Sequence, residues 1–349
     1  MSETYPPSSD FVSKAHVDAA KYDEMYARSI SDPEGFWADE AQRLDWMARP
    51  TRIKNTNFEF GKVDIKWFED GVLNVAYNCV DRHLKTRANQ TAIIFEPDNP
   101  DDPAQHITYA ELYDKVNRMA NVLLSQGVMR GDRVVIYLPM IPEAAYAMLA
   151  CARLGAVHSV VFGGFSGQAA GERIADSGSR VLITMDGYHR NGKLLDHKEK
   201  ADVAVRVAKR CGQAVEKVLI WQRYPDQYVS RIPVAAEQDY LMADLLTDYR
   251  GSRVDPVLVS AEDPLFLMYT SGTTGSPKGC QHSSGGYLSY VAGTSKFIQD
   301  IHPQDVYWCM ADIGWITGHS YIVYGPLSLG ATTVMYEGVP TYPDPGRCW

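Results

Sequence analysis

The sequence lacks any sign of a cysteine framework. Its cysteines are scattered, with no Cys-x-x-Cys pair and no clustered histidines, at positions Cys79, Cys151, Cys211, Cys280, Cys309 and Cys348. Disulfide staples and structural zinc are therefore disfavoured, because both need paired or closely spaced ligands. A reducing compartment fits this cysteine usage, and we predict a cytoplasmic protein.

The chain also lacks a long uninterrupted apolar run and an excess of positive charge. Residues 1–14 are polar and show no secretory signal, and the apolar run over residues 144–161 is interrupted by Arg153 and His158. That run predicts a buried helix, turn and strand, not a membrane span. A formal net charge of −9 disfavours non-specific binding to nucleic acid or anionic membranes, and it leaves room for a local basic site.

The length of 349 residues suggests about two domains or subdomains. Residues 1–90 are rich in aromatic and charged side chains, and helical patterns are predicted over residues 12–27 and 33–47. An aromatic stripe at helical spacing is more often packing than ligand binding. We therefore predict that residues 1–90 form a helical and irregular cover on the remainder of the chain, residues 91–349.

Apolar, β-branched stretches alternate with helical patterns after residue 91. Strands are predicted over residues 133–138, 158–162, 181–185, 217–221, 265–269, 306–310 and 332–336. Helix boundary signals lie among them: the capping box of Thr108 and Glu111, Gly127, Pro142, Gly155, Ser166 and Gly178. This alternation is typical of an α/β fold with mostly parallel sheets covered by helices on both faces.

Ligands of such sheets bind beyond the carboxyl ends of the strands. Promising loops follow predicted strands at Gly163-Gly164, at residues 186–193, at residues 270–279 and at residues 311–319. Their shared placement predicts a single cleft.

The loop of residues 270–279 has the composition of a phosphate site. It combines glycines at 272 and 275, hydroxyls at Thr270, Ser271, Thr273 and Thr274, and the ammonium group of Lys278. Amides, hydroxyls and a cation are what the anionic oxygens of a polyphosphate need. The spacing differs from the P-loop of common nucleotide hydrolases. Taken alone, such a run is more often a surface turn.

Several longer motifs in the same order make the run specific. They are residues 131–134, 150–156, 158–166, 312–321 and 336–340, in addition to the phosphate loop. With them the chain resembles, over essentially all 349 residues, the N-terminal half of the AMP-forming acetyl-CoA synthetases and other short-chain acyl-CoA synthetases. These belong to the adenylate-forming superfamily. The resemblance implies that residues 91–349 are an incomplete large N-terminal (AMP-binding) domain, and that the C-terminal domain is absent from this chain.

The resemblance implies activation of a carboxylate with ATP, giving an acyl-adenylate and pyrophosphate, after which CoA displaces AMP. Mg²⁺ assists, and no metal ligand or general base is assigned in this chain. Residues Thr270, Ser271, Gly272, Thr273, Thr274, Gly275 and Lys278 are implied to hold the ATP phosphates. Lys278 is the predicted catalytic residue. An ammonium group about 4 Å from a phosphate oxygen contributes about 4 kcal/mol at an effective dielectric of about 20.

The resemblance also implies a CoA site and an acyl pocket. The CoA candidates are Phe162, Gly163, Gly164, Arg190, Asn191, Gly192, Lys193, Thr317 and Thr341. The acyl-pocket candidates are Trp315, Ile316 and Thr317. The chain departs from the family at Lys193, where an arginine is usual, and at Thr341, where asparagine is usual. Lys193 offers one compact charge in place of a bidentate fork, which predicts a weaker grip on phosphate. His319 is predicted to be structural.

More than one function fits these residues. The first is a short-chain acyl-CoA synthetase of which this chain is the N-terminal portion, inactive alone, with acetate as first choice of substrate and propionate as second. The second is a truncated module that binds CoA or nucleotide without turnover. A structural or regulatory partner is a third. The expected partners are small molecules, with no nucleic acid and no membrane.

Overall fold

Two mainly parallel β-sheets and the helices packed on them form the body of the protein. The computed structural model describes residues 4–228, 235, 237–270 and 277–349. Among these residues, no helix combines the length and the hydropathy needed to cross a membrane.

The N-terminal part consists of short helices and strands. In chain order these are α1 (Ser9–Lys14), α2 (Ala19–Ser31), α3 (Pro33–Ala41), β1 (Lys54–Asn57), β2 (Asp64–Trp67), β3 (Val72–Leu73), α4 (Val75–Cys79) and α5 (Leu84–Arg87), with a 3₁₀ turn at Asp81–His83. The single helix predicted over residues 12–27 is wrong, because the Asp18 side chain accepts the amide of Lys21 and starts a new helix. The helix predicted to reach residue 47 ends at Ala41, whose carbonyl accepts the Trp46 indole N–H at 2.8 Å.

The later elements alternate strand and helix, as predicted. The strands are β4 (Thr91–Glu96), β5 (Gln105–Thr108), β6 (Arg133–Leu138), β7 (Val157–Phe162), β8 (Val181–Met185), β9 (Gly187–Arg190), β10 (Lys193–Asp196), β11 (Lys217–Trp221), β12 (Asp239–Leu241), β13 (Val259–Ser260), β14 (Pro264–Thr270), β15 (Lys278–Ser283), β16 (Val306–Trp308) and β17 (Thr332–Tyr336). The helices are α6 (Tyr109–Ser125), α7 (Pro142–Leu154), α8 (Gly167–Ser177), α9 (Lys198–Arg210), α10 (Pro225–Tyr228), α11 (Met242–Thr247), α12 (Ser284–Phe297), α13 (Ile316–Gly318) and α14 (Gly325–Ser328). A π-helical turn spans His319–Tyr324 and a 3₁₀ turn spans Pro345–Cys348.

The strands build one large and one smaller sheet. The large sheet has the order β12-β11-β8-β6-β7-β14-β15, and all of its neighbours are parallel except β14 and β15. The smaller sheet has the order β16-β17-β4-β5, with only β5 antiparallel. The predicted mixed α/β fold is therefore confirmed.

The central strands of the large sheet, β6, β7 and β8, are buried on both faces. Alternate residues of β6 point to opposite sides, so Val134 and Ile136 join the core formed with α6 and α7. Val135 and Tyr137 join a second core formed with α8 and α9. This two-sided burial explains why the strands are continuously apolar.

The predicted helix boundaries rest on local chemistry that the structure shows. The capping box of Thr108 and Glu111 is formed at the start of α6. Pro142 is the first residue of α7, and Gly155 ends that helix with φ 66°. Ser166 caps α8, and Gly178 ends it with φ 65°.

The N-terminal part packs into the main core from residue 41 onwards. Leu44, Phe68 and Val75 are buried in the same cluster as α7. The buried Asn74 side chain donates to the carbonyls of Ala152, Arg153 and Val257. The cover is thus continuous with the body it covers, and the boundary at residue 90 stays a prediction.

Candidate functional site

A cleft of about 300 Å³ opens at the carboxyl ends of strands from both sheets. Its lining residues are Met140, Phe162, Arg190, Trp308, Cys309, Met310, Ala311, Asp312, Trp315, Tyr336, Glu337, Gly338, Val339 and Pro340. Phe162 ends β7 of the large sheet, and Trp308 and Tyr336 end β16 and β17 of the smaller one. The structure therefore brings three predicted site residues, Phe162, Arg190 and Trp315, to one place.

Arg190 and Lys193 lie opposite each other in a β-hairpin. Strands β9 and β10 pair antiparallel, and the register places these two cations directly across from each other. The turn residues Asn191 and Gly192 have φ of 55° and 70°, which is the two-residue type I′ geometry. A Cβ on Gly192 would lie 2.7 Å from the Tyr342 hydroxyl, so a larger residue there would displace the Tyr342 side chain and be strained at this positive φ. The Asn-Gly pair is itself a hairpin signal that the sequence analysis did not use.

The amides of this turn are already occupied. The buried carboxylate of Asp98 accepts the N–H of Asn191 at 2.9 Å and the N–H of Gly192 at 2.8 Å. The predicted role of Asn191 and Gly192 in CoA binding is thus limited to groups other than these two donors.

Three cations lie near the hairpin without a carboxylate at ion-pair distance among the described residues. Arg190, Lys193 and Lys200 form no ion pair in the part of the chain that is described, in contrast to Arg223 with Glu337 and Arg347 with Glu96. The pKa of Lys200, in the first turn of α9, is lowered by burial and further by the charge of Arg190. Lys200 was missed in the sequence because nothing in α9 marks it as different from other surface lysines.

Aromatic rings build one wall of the cleft. Trp315 packs at 5.7 Å from the ring of Phe162 and edge-on at 5.7 Å from Phe165. The Arg190 guanidinium lies 5.8 Å from the centre of the Phe162 ring. Trp315 remains 42% exposed, so its indole packs on one side and is open on the other, and its contact with a ligand stays a prediction. Ile316 and Thr317 follow on α13 as exposed residues outside the cleft lining.

Gly163 and Gly164 lie in crowded backbone. A Cβ on Gly163 would stand 3.1 Å from the Cα of Pro139, and a Cβ on Gly164 would meet the Phe162 ring at 2.4 Å. Packing alone therefore accounts for both glycines, and close approach of a ligand remains a prediction. Thr341 is exposed and precedes Tyr342, whose hydroxyl is next to the hairpin turn.

Asp312 is a carboxyl group that the sequence analysis did not single out. It lines the cleft, and burial raises its pKa to about 6, although the Gly314 N–H that it accepts at 2.8 Å and the charge of Arg190 both favour the charged form. The group is therefore half-ionised near pH 6 and mostly a carboxylate at pH 7.

A second missed element is the network behind the hairpin. Glu337 is 2% exposed, and its carboxylate accepts from the Arg223 guanidinium at 2.5 Å and from the Asp98 N–H at 3.2 Å. Burial raises the pKa of Glu337 against the opposing effect of Arg223. The Asp186 carboxylate accepts the backbone N–H of Gly187, Arg223 and Tyr224. Glu337 and Asp186 lie in stretches that the sequence marks, residues 336–340 and 186–193, but their pairing with Arg223 and Asp98 has no local signal because those partners are distant in sequence.

The phosphate loop is described only at its two ends. Ser271, Gly272, Thr273, Thr274 and Gly275 lie outside the described residues. Thr270 and Lys278 are exposed and directly opposite each other where β14 and β15 meet the loop. Since β14 is next to β7 and parallel to it, Thr270 lies at the same edge of the sheet as Phe162.

His319 has the environment of a structural histidine. It is fully buried, its Nδ1 lies 3.1 Å from the Trp315 carbonyl, and its ring packs 4.6 Å from Phe266. Burial lowers its pKa to about 4, so the ring stays neutral. These contacts support the predicted structural role.

One group away from the cleft lining has metal-ligand residue types. Ligand atoms of His16, Asp300 and His302 lie within 4.8 Å of one another. The two imidazoles are stacked 3.9 Å apart at 20°. An ion must lie close to the plane of each imidazole it binds, so these stacked rings do not suit a shared ion. The contacts instead attach the N-terminal segment to the loop after α12.

Comparison with known proteins gives matches along almost the whole chain. The profile of the AMP-binding enzyme family matches residues 80–349, and that of the acetyl-coenzyme A synthetase N-terminus matches residues 22–79. The acetyl-coenzyme A synthetase of Rhodobacter capsulatus is 56% identical over 335 residues, which is 96% of this chain and 50% of the relative. That of Bradyrhizobium diazoefficiens is 54% identical over 350 residues, covering 100% of this chain and 52% of the relative. The chain thus spans about half the length of the curated relatives it matches.

Proposed function

Because this chain belongs to the AMP-binding enzyme family, we propose that it forms the N-terminal half of an acetyl-CoA synthetase. The proposed reaction joins acetate to ATP, releasing pyrophosphate, and the CoA thiol then displaces AMP from the acyl-adenylate. The named relatives are all acetyl-coenzyme A synthetases, which favours acetate over other short carboxylates.

The observation that carries the proposal is the cleft shared by the two sheets. It joins an aromatic wall at Phe162 and Trp315 to the guanidinium of Arg190, which has no carboxylate within ion-pair distance among the described residues. An unpaired, partly buried cation is costly unless an anion completes it. The phosphates of CoA are such anions, and its adenine can pack against the Phe162 side of the aromatic wall. We assign Arg190 and Lys193 to the phosphates, and Phe162, Gly163, Gly164, Thr317 and Thr341 to the remaining CoA contacts.

Lys278 and the phosphate loop serve the first step in this proposal. Thr270 and Lys278 are anchored as facing residues of β14 and β15, so the loop between them starts and ends at the ligand edge of the sheet. The carboxylate and the triphosphate repel each other, and a cation at this edge reduces that repulsion. Bound Mg²⁺ would neutralise further phosphate charge. Aligning the two reactants contributes up to about 7–11 kcal/mol in ideal cases.

The acyl pocket is assigned to Trp315, Ile316 and Thr317. The indole of Trp315 is fixed by two other aromatic rings, so it forms a rigid wall. A rigid wall discriminates by one methylene with about 1–3 kcal/mol. Acetate is therefore expected to react faster than propionate.

The test is acetate-dependent exchange of pyrophosphate into ATP by the native polypeptide that carries this sequence, followed by thioester formation on addition of CoA. We expect exchange with acetate to exceed exchange with propionate. Its mass is measured first, because a polypeptide that ends at Trp349 and binds CoA without exchange would replace the synthetase proposal by the binding-module alternative.

A further inference from the structure

The hairpin that carries Arg190 and Lys193 is held from outside by one carboxylate. Asp98 is fully buried and comes two residues after β4 of the smaller sheet. The hairpin starts two residues after β8 of the large sheet. The two hydrogen bonds from Asn191 and Gly192 to Asp98 therefore connect the two sheets at the rim of the cleft.

The hairpin needs such support. It has only four residue pairs, from Lys193 with Arg190 to Asp196 with Gly187, and it belongs to no larger sheet. An isolated two-stranded hairpin is marginal in water. Two amides donating to one ionised carboxylate make strong, charge-assisted hydrogen bonds. Asp98 therefore holds the turn in place, and Arg190 and Lys193 are the residues on either side of that turn.

Asp98 is itself fixed. Its own N–H donates to Glu337, and Arg223 neutralises Glu337. Asp98 makes no ion pair within the described ranges, so its charge is balanced by the dipoles of the turn amides. The result is a continuous series of contacts from Arg223 through Glu337 and Asp98 to the turn.

We propose that Asp98 is a positioning residue for phosphate recognition: by holding the Asn191–Gly192 turn, it directs Arg190 and Lys193 at one phosphomonoester of CoA. This rests on the proposed function, since it assigns a role in the CoA site suggested above.

Simple electrostatics predicts the opposite change in CoA affinity when Asp98 is removed. Asp98 is a negative charge beside two cations, and its removal raises the positive potential that attracts phosphate. If charge alone mattered, Asp98→Ala and Asp98→Asn would bind CoA more tightly. Positioning predicts weaker CoA binding in both variants. The loss of affinity should be smaller in Asp98→Asn than in Asp98→Ala, because the amide oxygen still accepts one turn N–H.

The experiment compares CoA with the form that lacks the 3′-phosphate, using the native polypeptide. For Asp98→Ala we expect a rise of about tenfold in the KM for CoA, because a loose turn must be ordered on binding. The KM for the dephosphorylated form and the acetate-dependent pyrophosphate exchange should stay unchanged. Asp101→Ala, an exposed change of the same charge three residues away, is the matched control and should resemble the parent.

A second readout follows the turn directly. Hydrogen exchange of the peptide over residues 188–196 should be faster in Asp98→Ala, because the amides of Asn191 and Gly192 lose their acceptor. Unchanged hydrogen exchange of this peptide, tighter CoA binding, or loss of the pyrophosphate exchange reaction would each overturn the positioning role. If Arg190→Ala removes the preference for the 3′-phosphate and Asp98→Ala does not, only this inference fails. If neither variant changes it, the proposed CoA site fails as well.

Discussion

Arg190 and Lys193 offer different things to an anion, although they face each other across one turn. A guanidinium presents a planar fork that matches two phosphate oxygens, whereas an ammonium is a compact point charge. Lys200 adds a further cation that is partly buried and unpaired among the described residues. The site thus combines one directional donor with two less directional charges.

Lys193→Arg tests that difference. Because an arginine restores a second fork opposite Arg190, we expect the KM for CoA to fall by about threefold. The KM for acetate should not change. Lys85→Arg, an exposed change of the same kind on α5, is the control. A KM for CoA that rises in Lys193→Arg would show that the turn has no room for the larger group.

Lys278→Ala tests the phosphate loop. Loss of an electrostatic partner of the reacting phosphate typically costs about 10²–10³ in rate. We therefore expect acetate-dependent pyrophosphate exchange to fall by that factor, while CoA binding is unchanged. Lys85→Ala removes an exposed lysine elsewhere and should leave the exchange rate intact. Equal rates for both variants would remove Lys278 from the mechanism.

Part of the site follows from the sequence because it is local. The cleft contains Phe162, Arg190 and Trp315 because each lies at the end of a strand or in the segment after one, at the same edge. Asp98, Arg223 and Lys200 have no such local signal, since their importance comes from partners about 10 to 239 residues away. The packing of distant segments sets the environment of these residues, and no local pattern in the sequence predicts that packing.

At the scale of elements, α7 is attached to the N-terminal part by a buried ion pair. Arg153 of α7 is bidentate to Asp81, with N–O distances of 2.8 and 3.0 Å, and its side chain is 2% exposed. Its Nε also donates to the Val254 carbonyl at 2.5 Å. In the sequence this residue interrupts an apolar run, and the structure shows that it is buried within that run with its charge paired.

Asp81→Ala should lower the free energy of unfolding by about 3–5 kcal/mol, because it leaves Arg153 as an uncompensated buried charge. Urea unfolding of the native polypeptide measures the change. The control is Arg28→Ala, which breaks a pair between exposed side chains with Asp39 and should change stability little. A small effect of Asp81→Ala would mean that water reaches Arg153.

The elements themselves were predictable to different degrees. Strands β6, β7, β8, β11, β14 and β17 lie where apolar runs predict them, because burial on both faces leaves a clear signature. The strand predicted to residue 310 ends at Trp308, where the chain enters the cleft lining. The β9–β10 hairpin was interpreted as a loop, because its four-residue strands are too short for a periodic pattern.

At the scale of the whole molecule, several histidines are buried in the neutral form. His83, His197 and His319 each have a pKa lowered to about 4, with burial as the main cause. The unfolded value is about 6.5. Their contribution to stability is therefore complete above pH 6.5 and is lost as the pH falls from 6.5 towards 4. Asp312 has the opposite effect on stability over part of that range: its pKa is raised to about 6, so its contribution is present at low pH and is lost as the pH rises towards 6.

His197→Gln isolates one of these contributions. The His197 Nε2 lies 2.9 Å from the Tyr137 carbonyl, and glutamine can still donate there. Between pH 6.5 and 4, the slope of unfolding free energy against pH should be shallower in the variant by about one proton. His106→Gln, at an exposed position, should keep the parent slope. Identical slopes for the parent and His197→Gln would show that His197 is protonated in the folded state.

The cleft has one indole on each wall, Trp308 at the end of β16 and Trp315 against Phe162. Trp308 belongs to the smaller sheet and Trp315 packs against Phe162 of the large sheet, so substituting either indole isolates its share of an emission change from that of the other tryptophans. A ligand that displaces solvent from the half-exposed Trp315 should shift its emission to shorter wavelength. Trp308→Phe and Trp315→Phe then distinguish the emission change of one indole from that of the other. Binding can thus be followed without a label or a coupled assay.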